Sequence, residues 1–209
     1  MSGNLGSTPE ATFELGDDSG RFDRTSMALH WLTVLLIVVQ FSSVWSFKFV
    51  DEHSRVGMMI LDMHRSSGLL VWFVTLVRLV WRHNFAYLPP FPKSMSKFQQ
   101  TFAKANEYSL YVLLFVQPVT GLGRSLLRGR PFDLFFWQVP AFTENDPIRH
   151  LFGEAHEIGA KLLLALIAIH AGAALFHRLV LRDGVLQRML PLMSVRTKLT
   201  PTLAKREAE

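Results

Sequence analysis

Two histidines near the C-terminal end of the chain have the spacing of ligands on one face of a helix. His156 and His170 are fourteen residues apart within an apolar stretch, residues 152–181, that is long enough to cross a membrane. Fourteen residues are close to four helical turns, so both imidazoles leave the same helix face about 21 Å apart along the axis. One helix therefore presents a nitrogen ligand near each side of the membrane.

Small residues around both histidines allow two interpretations. Gly153 and Gly159 lie near His156, and a run of alanine and glycine follows His170. They would let a flat macrocycle lie close to the backbone, but small residues also serve ordinary packing between membrane helices. Ionisable residues at membrane depth are rare and are functional by default. A cofactor role is favoured if other helices supply partners at matching depths.

The composition describes a small integral membrane protein. The chain has 209 residues, 49% of them hydrophobic, and a mean hydropathy of +0.22. It contains no cysteine, which excludes disulfides, iron–sulfur clusters, thiolate ligands and the covalent attachment of c-type haem. Its basic residues flank hydrophobic spans, where they set orientation and meet anionic lipid headgroups, so we expect no nucleic-acid partner.

Hydropathy divides the chain into two tails and four helices. Residues 1–26 are polar and lack apolar periodicity, and we expect them to be disordered. The uncharged run at 27–47 is long enough to span a membrane and predicts helix one rather than a cleaved signal. Helices two, three and four are expected at about 56–81, 106–122 and 152–181. The sequence thus predicts an all-α integral membrane protein, with a four-helix transmembrane domain at 27–181 and a basic cytoplasmic tail at 182–209.

Two connecting features have a predicted form. Pro118 and Gly121 are expected to kink or end helix three. The connection at 123–149 is long for a loop, and its aromatic residues suit a membrane interface. We expect it to lie on the surface as a partial lid.

Histidines on helices one and two supply the partners. His30 lies about one turn inside helix one, and His64 lies in the first half of helix two. Basic residues concentrate in the tails and in the loop between helices two and three, which predicts that both termini are cytoplasmic. Depth then pairs His30 with His170 in the inner half and His64 with His156 in the outer half. Two such bis-imidazole sites in a four-helix bundle are expected for two stacked b-type haems.

Several motifs between Arg24 and about Arg188 match a known family. They are R-x5-HW ending at Trp31, the Met63-His64 pair, VRLVWR followed by PPFP, Tyr111, P-x-x-G at Pro118 and Gly121, RGRPF, and HE-x12-H-x6-H from His156 to His177. Through them the chain resembles the bacterial cytochrome b561 proteins, whose members include the membrane superoxide oxidase. The resemblance implies a dihaem, quinone-linked electron carrier of the bacterial inner membrane.

The resemblance also carries residue roles. It implies that His30, His64, His156 and His170 are the iron ligands, that ubiquinone is an exchangeable substrate, and that superoxide is the donor at the outer face. Arg65 and Arg78 are predicted to bind haem propionates, because guanidinium forks suit carboxylates. Arg78 could instead snorkel to headgroups. His177 faces either a haem propionate or quinone headgroup, or it has an interfacial role.

Three hypotheses for function follow. Two axial histidines leave no open position on an iron, which favours transfer of single electrons over oxygen chemistry. The leading hypothesis is a dihaem oxidoreductase that exchanges electrons with ubiquinone and oxidises superoxide. In this hypothesis the basic residues on the outer side attract a small anion, although they could instead bind lipid phosphates. The second is a haem-bearing membrane anchor of a dehydrogenase or reductase, which would have a soluble redox partner. The third is a structural or transport bundle without haem.

Overall fold

Four long helices make up most of the chain in the computed structural model, which describes residues 20–51, 53–92 and 94–190. They are α1 (Arg24–Ser46), α2 (Arg55–Asn84), α3 (Lys97–Leu126) and α4 (Asp146–Phe176). The predictions made for residues 1–19 and 191–209, most of both tails, fall outside the described residues. The division into tails and domain stays a prediction.

A short polar side chain caps the beginning of each helix. Asp23, Ser54, Ser96 and Asn145 accept hydrogen bonds from backbone amides in the first turns of α1, α2, α3 and α4. These amides have no carbonyl partner within the helix, so the caps stabilise the ends. Local sequence therefore sets where each helix starts.

α3 differs most from its predicted bounds. It begins at Lys97, nine residues before the predicted start, after a capping box formed by Ser96 and Gln99. Its first turns are rich in polar residues, and for that reason hydropathy did not reveal them. The helix also continues through Pro118 and Gly121 to Leu126. Of the two alternatives for these residues, a kink or an end of the helix, the end was therefore wrong.

The helices pack in chain order. α1 packs on α2, α2 on α3 and α3 on α4, whereas α1 and α4 hardly touch. A buried apolar cluster joins all four helices and consists of Leu36, Val71, Val74, Leu114 and Leu163. Leu36 lies six residues after His30, and Leu163 lies seven after His156, so the cluster lies between the two histidine levels.

The connection between α3 and α4 contains a small hairpin. β1 (Phe132–Leu134) pairs antiparallel with β2 (Trp137–Val139). Phe135, in the turn, has a φ of 55° and donates its backbone N–H to Ser66 Oγ of α2 at 2.7 Å. The fold is mostly helical, as predicted, and the strand pair in the connection between α3 and α4 packs against α2. The hairpin lies close to His64, because its contact residue in α2, Ser66, is two residues after His64.

The chain continues beyond α4 as an ordered segment. α4 passes into a π-helix (His177–Leu181), and a short 3₁₀ helix (Leu186–Met189) follows. Trp31 Nε1 donates to the carbonyl of Met189 at 2.7 Å, and an Arg188 guanidinium nitrogen donates to the carbonyl of Pro90 at 2.6 Å. The basic tail predicted from 182 onward thus begins with a structured C-terminal segment, residues 182–190, which is tied to α1 and to the loop after α2.

Length and surface character identify the spanning helices. α1, α2 and α4 with its π-helical extension are long and apolar enough to cross a membrane. Large apolar side chains on the outside of the bundle are exposed, for example Leu35 at 60% and Val112 at 60%. Such a surface suits lipid rather than water. The prediction of an integral membrane helical bundle is confirmed.

Candidate functional site

The structure brings the four predicted histidines together as two pairs. His64 of α2 faces His156 of α4, and His30 of α1 faces His170 of α4; each pair has ring centroids 6.2 Å apart. We call them the outer pair (His64 and His156) and the inner pair (His30 and His170). Their partners are the ones assigned by depth. Their role as iron ligands stays a prediction.

The spacing within each pair suits a shared metal ion. A metal-bound imidazole nitrogen lies about 2 Å from the metal and about 1 Å from its own ring centre, so two rings on opposite sides of one ion have centres about 6 Å apart. Both pairs have this separation. The described residues contain no group of three or more histidine and carboxylate ligands. Two-ligand sites of this kind suit a metal whose other ligands come from a macrocycle.

Hydrogen bonds fix the tautomer of His64. Its Nδ1 lies 2.8 Å from the hydroxyl of Ser43, a buried residue of α1. The Ser43 hydroxyl donates its own proton to the carbonyl of Gln40 at 2.7 Å, so it accepts from His64 Nδ1–H. The Nε2 lone pair of His64 is therefore the one available to a metal.

The same logic applies to His156. Its Nδ1 lies 3.0 Å from the carbonyl of Gln117, which can only accept, and 3.1 Å from the Thr120 hydroxyl. A Cβ on Gly121 would lie 2.9 Å from Cε1 of His156, so only glycine at this position lets the ring lie against α3. His156 is thus held with its Nε2 lone pair free.

A large cavity surrounds the outer pair. Its volume is about 730 Å³, and both outer histidines line it together with Gly68, Gly121 and Gly153. A volume of this size is typical of sites for large organic cofactors. The chemistry of the donors, the close-packed glycines and the volume fit a haem.

Basic residues line one end of this cavity. They are Arg65, Arg124, Arg128 and Arg149. Arg65 pairs with Asp62 at 2.6 Å, donates to Ser125 Oγ at 3.2 Å, and lies over the ring of Phe132. Arg65 therefore lines the cavity, as a propionate partner must, although Asp62 already balances its charge.

The inner pair has simpler surroundings. Within the described part of the chain, neither ring accepts or donates a hydrogen bond, and His30 Nδ1 is buried without a partner. Trp31 is the nearest ring neighbour of His30, at 5.6 Å between centroids. Gly172, two residues after His170, has open space where a Cβ would stand. Among the described residues, therefore, no hydrogen bond sets the direction of either inner ring.

Arg78 lies toward the inner end. Its guanidinium is 5.4 Å from the centre of the Tyr111 ring, and both residues line a cavity of only about 10 Å³ with Ser26 and Met189. No carboxylate among the described residues pairs with Arg78, whereas its neighbour Arg82 pairs with Glu107 at 3.0 Å. The Tyr111 hydroxyl is buried and has no partner in the described structure. Arg78 and Tyr111 thus offer two unused donors to an anion.

Asp23 holds the inner end of α1 against α2. It accepts from the backbone amide of Ser26 and from Trp81 Nε1, at 2.8 and 3.0 Å. Burial raises the pKa of Asp23, but the hydrogen bonds from Ser26 and Trp81 outweigh that effect and lower the pKa below its ordinary value of 3.8. The carboxylate therefore stays charged and keeps both contacts.

His177 is already engaged by the chain itself. Its Nδ1 lies 2.5 Å from Oδ2 of Asp183, and both side chains are buried. The pair forms because the π-helix ends at Arg182 and turns the chain back. His177 does not line the outer cavity, and its proposed contact with a cofactor edge stays a prediction.

Sequence reasoning missed the groups that orient the outer histidines. Ser43, Gln117 and Thr120 were not singled out, although each is a polar residue in an apolar helix. The signal that could have found them was their position on the helices. Ser43, Gln117 and Thr120 are polar residues on the buried sides of helices whose outer faces are apolar. Gly121 was noted as a residue that could kink or end helix three and as part of the P-x-x-G motif, but not for its close approach to His156.

Comparison with known proteins gives a family. The family model described as "Prokaryotic cytochrome b561" matches residues 21–192. "Cytochrome b561 homolog 1" of Escherichia coli (strain K12) is 29% identical over 175 residues, covering 82% of this chain and 97% of that protein. "Probable superoxide oxidase CybB" of Yersinia pestis is 26% identical over 172 residues, covering 82% of this chain and 96% of that protein.

Proposed function

The chain belongs to the prokaryotic cytochrome b561 family, and we propose that within it this protein is a dihaem carrier that exchanges electrons with ubiquinone. Membership makes it a membrane electron-transfer protein that binds b-type haem. The finer proposal concerns the number of haems, their ligands and the substrates. The observation that carries it is the equal spacing of 6.2 Å in both histidine pairs.

The chain's own residues would hold the two groups. His64 and His156 would ligate the outer haem, each through Nε2, and His30 and His170 would ligate the inner one. Arg65 would bind an outer propionate and Arg78 an inner one, since guanidinium pairs with carboxylate; His177 is proposed to contact the edge of the inner site. When bound, each haem supplies reversible one-electron exchange at an iron with no open position.

Superoxide is the proposed donor at the outer face. The support is the basic lining of the outer cavity, from Arg124, Arg128 and Arg149, which would raise the local concentration of a small anion. A relative is named as a probable superoxide oxidase. The balanced reaction takes two superoxide anions, one ubiquinone and two protons to two dioxygen molecules and one ubiquinol.

The proposed location is the bacterial plasma membrane, with lipid as the direct environment and both termini cytoplasmic. The support is the basic residues of the C-terminal tail and those at the adjoining ends of α2 and α3, among them Arg82, Lys97 and Lys104. In this orientation the hairpin and the outer cavity face the outside.

Spectroscopy of the purified protein tests the proposal. A dithionite-reduced visible spectrum with haem quantification should give two b-type haems per chain. Under anaerobic conditions, added superoxide should reduce the haems and added ubiquinone should reoxidise them. One haem per chain would contradict the two-site proposal. Haems that respond only to a co-purified soluble redox subunit would instead assign the chain as a membrane anchor.

A further inference from the structure

An ion pair lies on the outward face of α4, beside the outer pair. Lys161 Nζ donates to Glu157 Oε1 at 2.7 Å. Both side chains are largely exposed, at 73% for Lys161 and 70% for Glu157. Glu157 directly follows His156 and also lines the outer cavity. The ion pair therefore stands where that cavity meets the surface of the bundle.

The depth of Lys161 follows from its position relative to the outer pair. Lys161 is five residues from His156 in the direction of His170, which is about 7.5 Å along the axis. Ser43 contacts His64, and Thr120 contacts His156, so these four residues lie at one depth in the four helices. Five residues from that depth toward the inner pair, the level of Lys161 corresponds to about residue 38 of α1, 69 of α2 and 115 of α3. These positions lie within runs without charged residues, at 25–47, 66–77 and 108–123. Lys161 thus faces lipid at a depth where the other helices carry no charge.

A charged pair at this depth points to a ligand. Ionisable side chains facing hydrocarbon are costly, and those that occur inside membranes mark functional sites. A ligand that reaches Lys161 through the bilayer must be apolar overall and must carry hydrogen-bonding atoms. Lipid phosphates satisfy only the second condition, because they lie outside the hydrocarbon core.

A quinone satisfies both conditions. Its isoprenoid tail dissolves in the bilayer, and its ring carries two carbonyl oxygens. The Lys161 ammonium can donate to a quinone carbonyl, and the Glu157 carboxylate can accept from a quinol hydroxyl. One ion pair therefore matches the oxidised and the reduced headgroup.

The face of α4 beyond the ion pair leaves room for the ring and tail. Ala165, Ala168 and Gly172 continue along the same side of the helix and are all exposed. A Cβ at Gly172 would meet nothing within 4 Å. An apolar chain could lie against the backbone there while the headgroup contacts Lys161.

We propose that Lys161 and Glu157 form a lipid-facing binding site for the ubiquinone headgroup, next to the outer pair. The inference rests on the proposed function, because it takes ubiquinone as the exchangeable substrate. It adds the residues that bind the headgroup and the face through which the quinone enters.

The test uses the haem-loaded protein in lipid nanodiscs and a short-tailed ubiquinol as the probe. Lys161→Leu should raise the ubiquinol KM for haem reduction about tenfold, the loss expected for one charge-assisted hydrogen bond. Glu157→Gln keeps the shape of the side chain and should raise the KM less, and Lys161→Arg should restore part of the loss. Lys97→Leu, at the start of α3, and Glu154→Gln, one turn earlier on α4, are matched controls with an unchanged KM.

Two further readouts separate the outcomes. Haem content and reduction by superoxide should be the same in Lys161→Leu as in the wild type, because Lys161 is not proposed to ligate haem and does not line the outer cavity. An unchanged ubiquinol KM in both Lys161→Leu and Glu157→Gln would overturn the site. A Lys161→Leu protein with an unchanged KM but a different oligomeric state from the wild type would also overturn it and assign this face to contact with a second copy of the chain. Reduced wild-type haems that ubiquinone does not reoxidise would defeat the proposed function itself, and the site with it.

Discussion

The outer and inner pairs share one ring spacing but differ in what surrounds them. His64 and His156 each bond through Nδ1 to a neighbouring helix, and a cavity of about 730 Å³ adjoins them. In the described structure His30 and His170 have no such bonds, and the small cavity at their end measures about 10 Å³. Two histidine pairs of equal ring spacing thus have different surroundings.

The difference indicates what would set the orientation of the histidine rings in each pair. At the outer pair, Ser43 and Gln117 set the tautomer and the direction of the rings before any metal binds. At the inner pair, no hydrogen bond in the described structure sets the direction of the rings, and Arg78 and Tyr111 at the edge of the site are donors without an anionic partner among the described residues. We therefore expect the outer haem to respond to hydrogen-bond changes and the inner haem to respond to charge changes.

The largest expected effect comes from removing one ligand of either pair. His64→Ala or His156→Ala should lose the outer haem, and His30→Ala or His170→Ala the inner one, because a single axial imidazole is left. Haem quantification should give about one haem per chain in each variant. If His64→Ala and His170→Ala removed the same spectral component, the division into two pairs would be wrong.

Crowding of His156 should have the next largest effect. Gly121→Ala would place a Cβ 2.9 Å from the His156 ring, and overpacking of this kind costs about 1–3 kcal/mol. The ring cannot retreat without losing its bond to Gln117, so outer-haem occupancy should fall severalfold. Gly172→Ala is the matched control near the inner pair, where a Cβ meets open space, and should keep both haems. Equal loss in the two variants would show that the close approach at Gly121 is unimportant.

These two predictions rest on different kinds of information. The pairing of the histidines could be predicted because depth is one-dimensional: 1.5 Å per residue and alternating helix direction were enough. The contact at Gly121 and the bond from His64 to Ser43 depend on how neighbouring helices are rotated, which hydropathy does not encode. The polar start of α3, the hairpin over α2 and the segment at 182–190 were missed for a related reason, since each is stabilised by contacts outside the apolar spans.

Removal of the Ser43 hydroxyl should have a moderate effect confined to the outer site. Ser43→Ala leaves His64 Nδ1–H buried without an acceptor, and loss of such a partner weakens metal binding by about 10–100-fold. Haem transfer to apomyoglobin should therefore be faster for the outer haem, with the inner rate unchanged. Thr33→Val provides the control, because the Thr33 hydroxyl is buried on the same helix but bonds only to the carbonyl of Leu29. A Ser43→Ala protein with wild-type rates would remove the main distinction between the pairs.

The smallest effect is expected for substitution of Arg78, which tests whether the two pairs differ in their charged surroundings. Arg65 is balanced by Asp62, whereas Arg78 has no carboxylate among the described residues, so an inner propionate is its natural partner. Arg78→Leu would leave that negative charge unscreened, which stabilises the ferric form, so the inner midpoint potential should fall. A tenfold shift toward the ferric form corresponds to about 60 mV for a one-electron couple, and we expect a fall of that order or less, with the outer midpoint unchanged. Arg78→Lys keeps the charge and should retain most of the wild-type potential. A redox titration decides the point, because two unshifted midpoints in Arg78→Leu would mean that Arg78 reaches lipid headgroups instead and does not bind a propionate at the inner site.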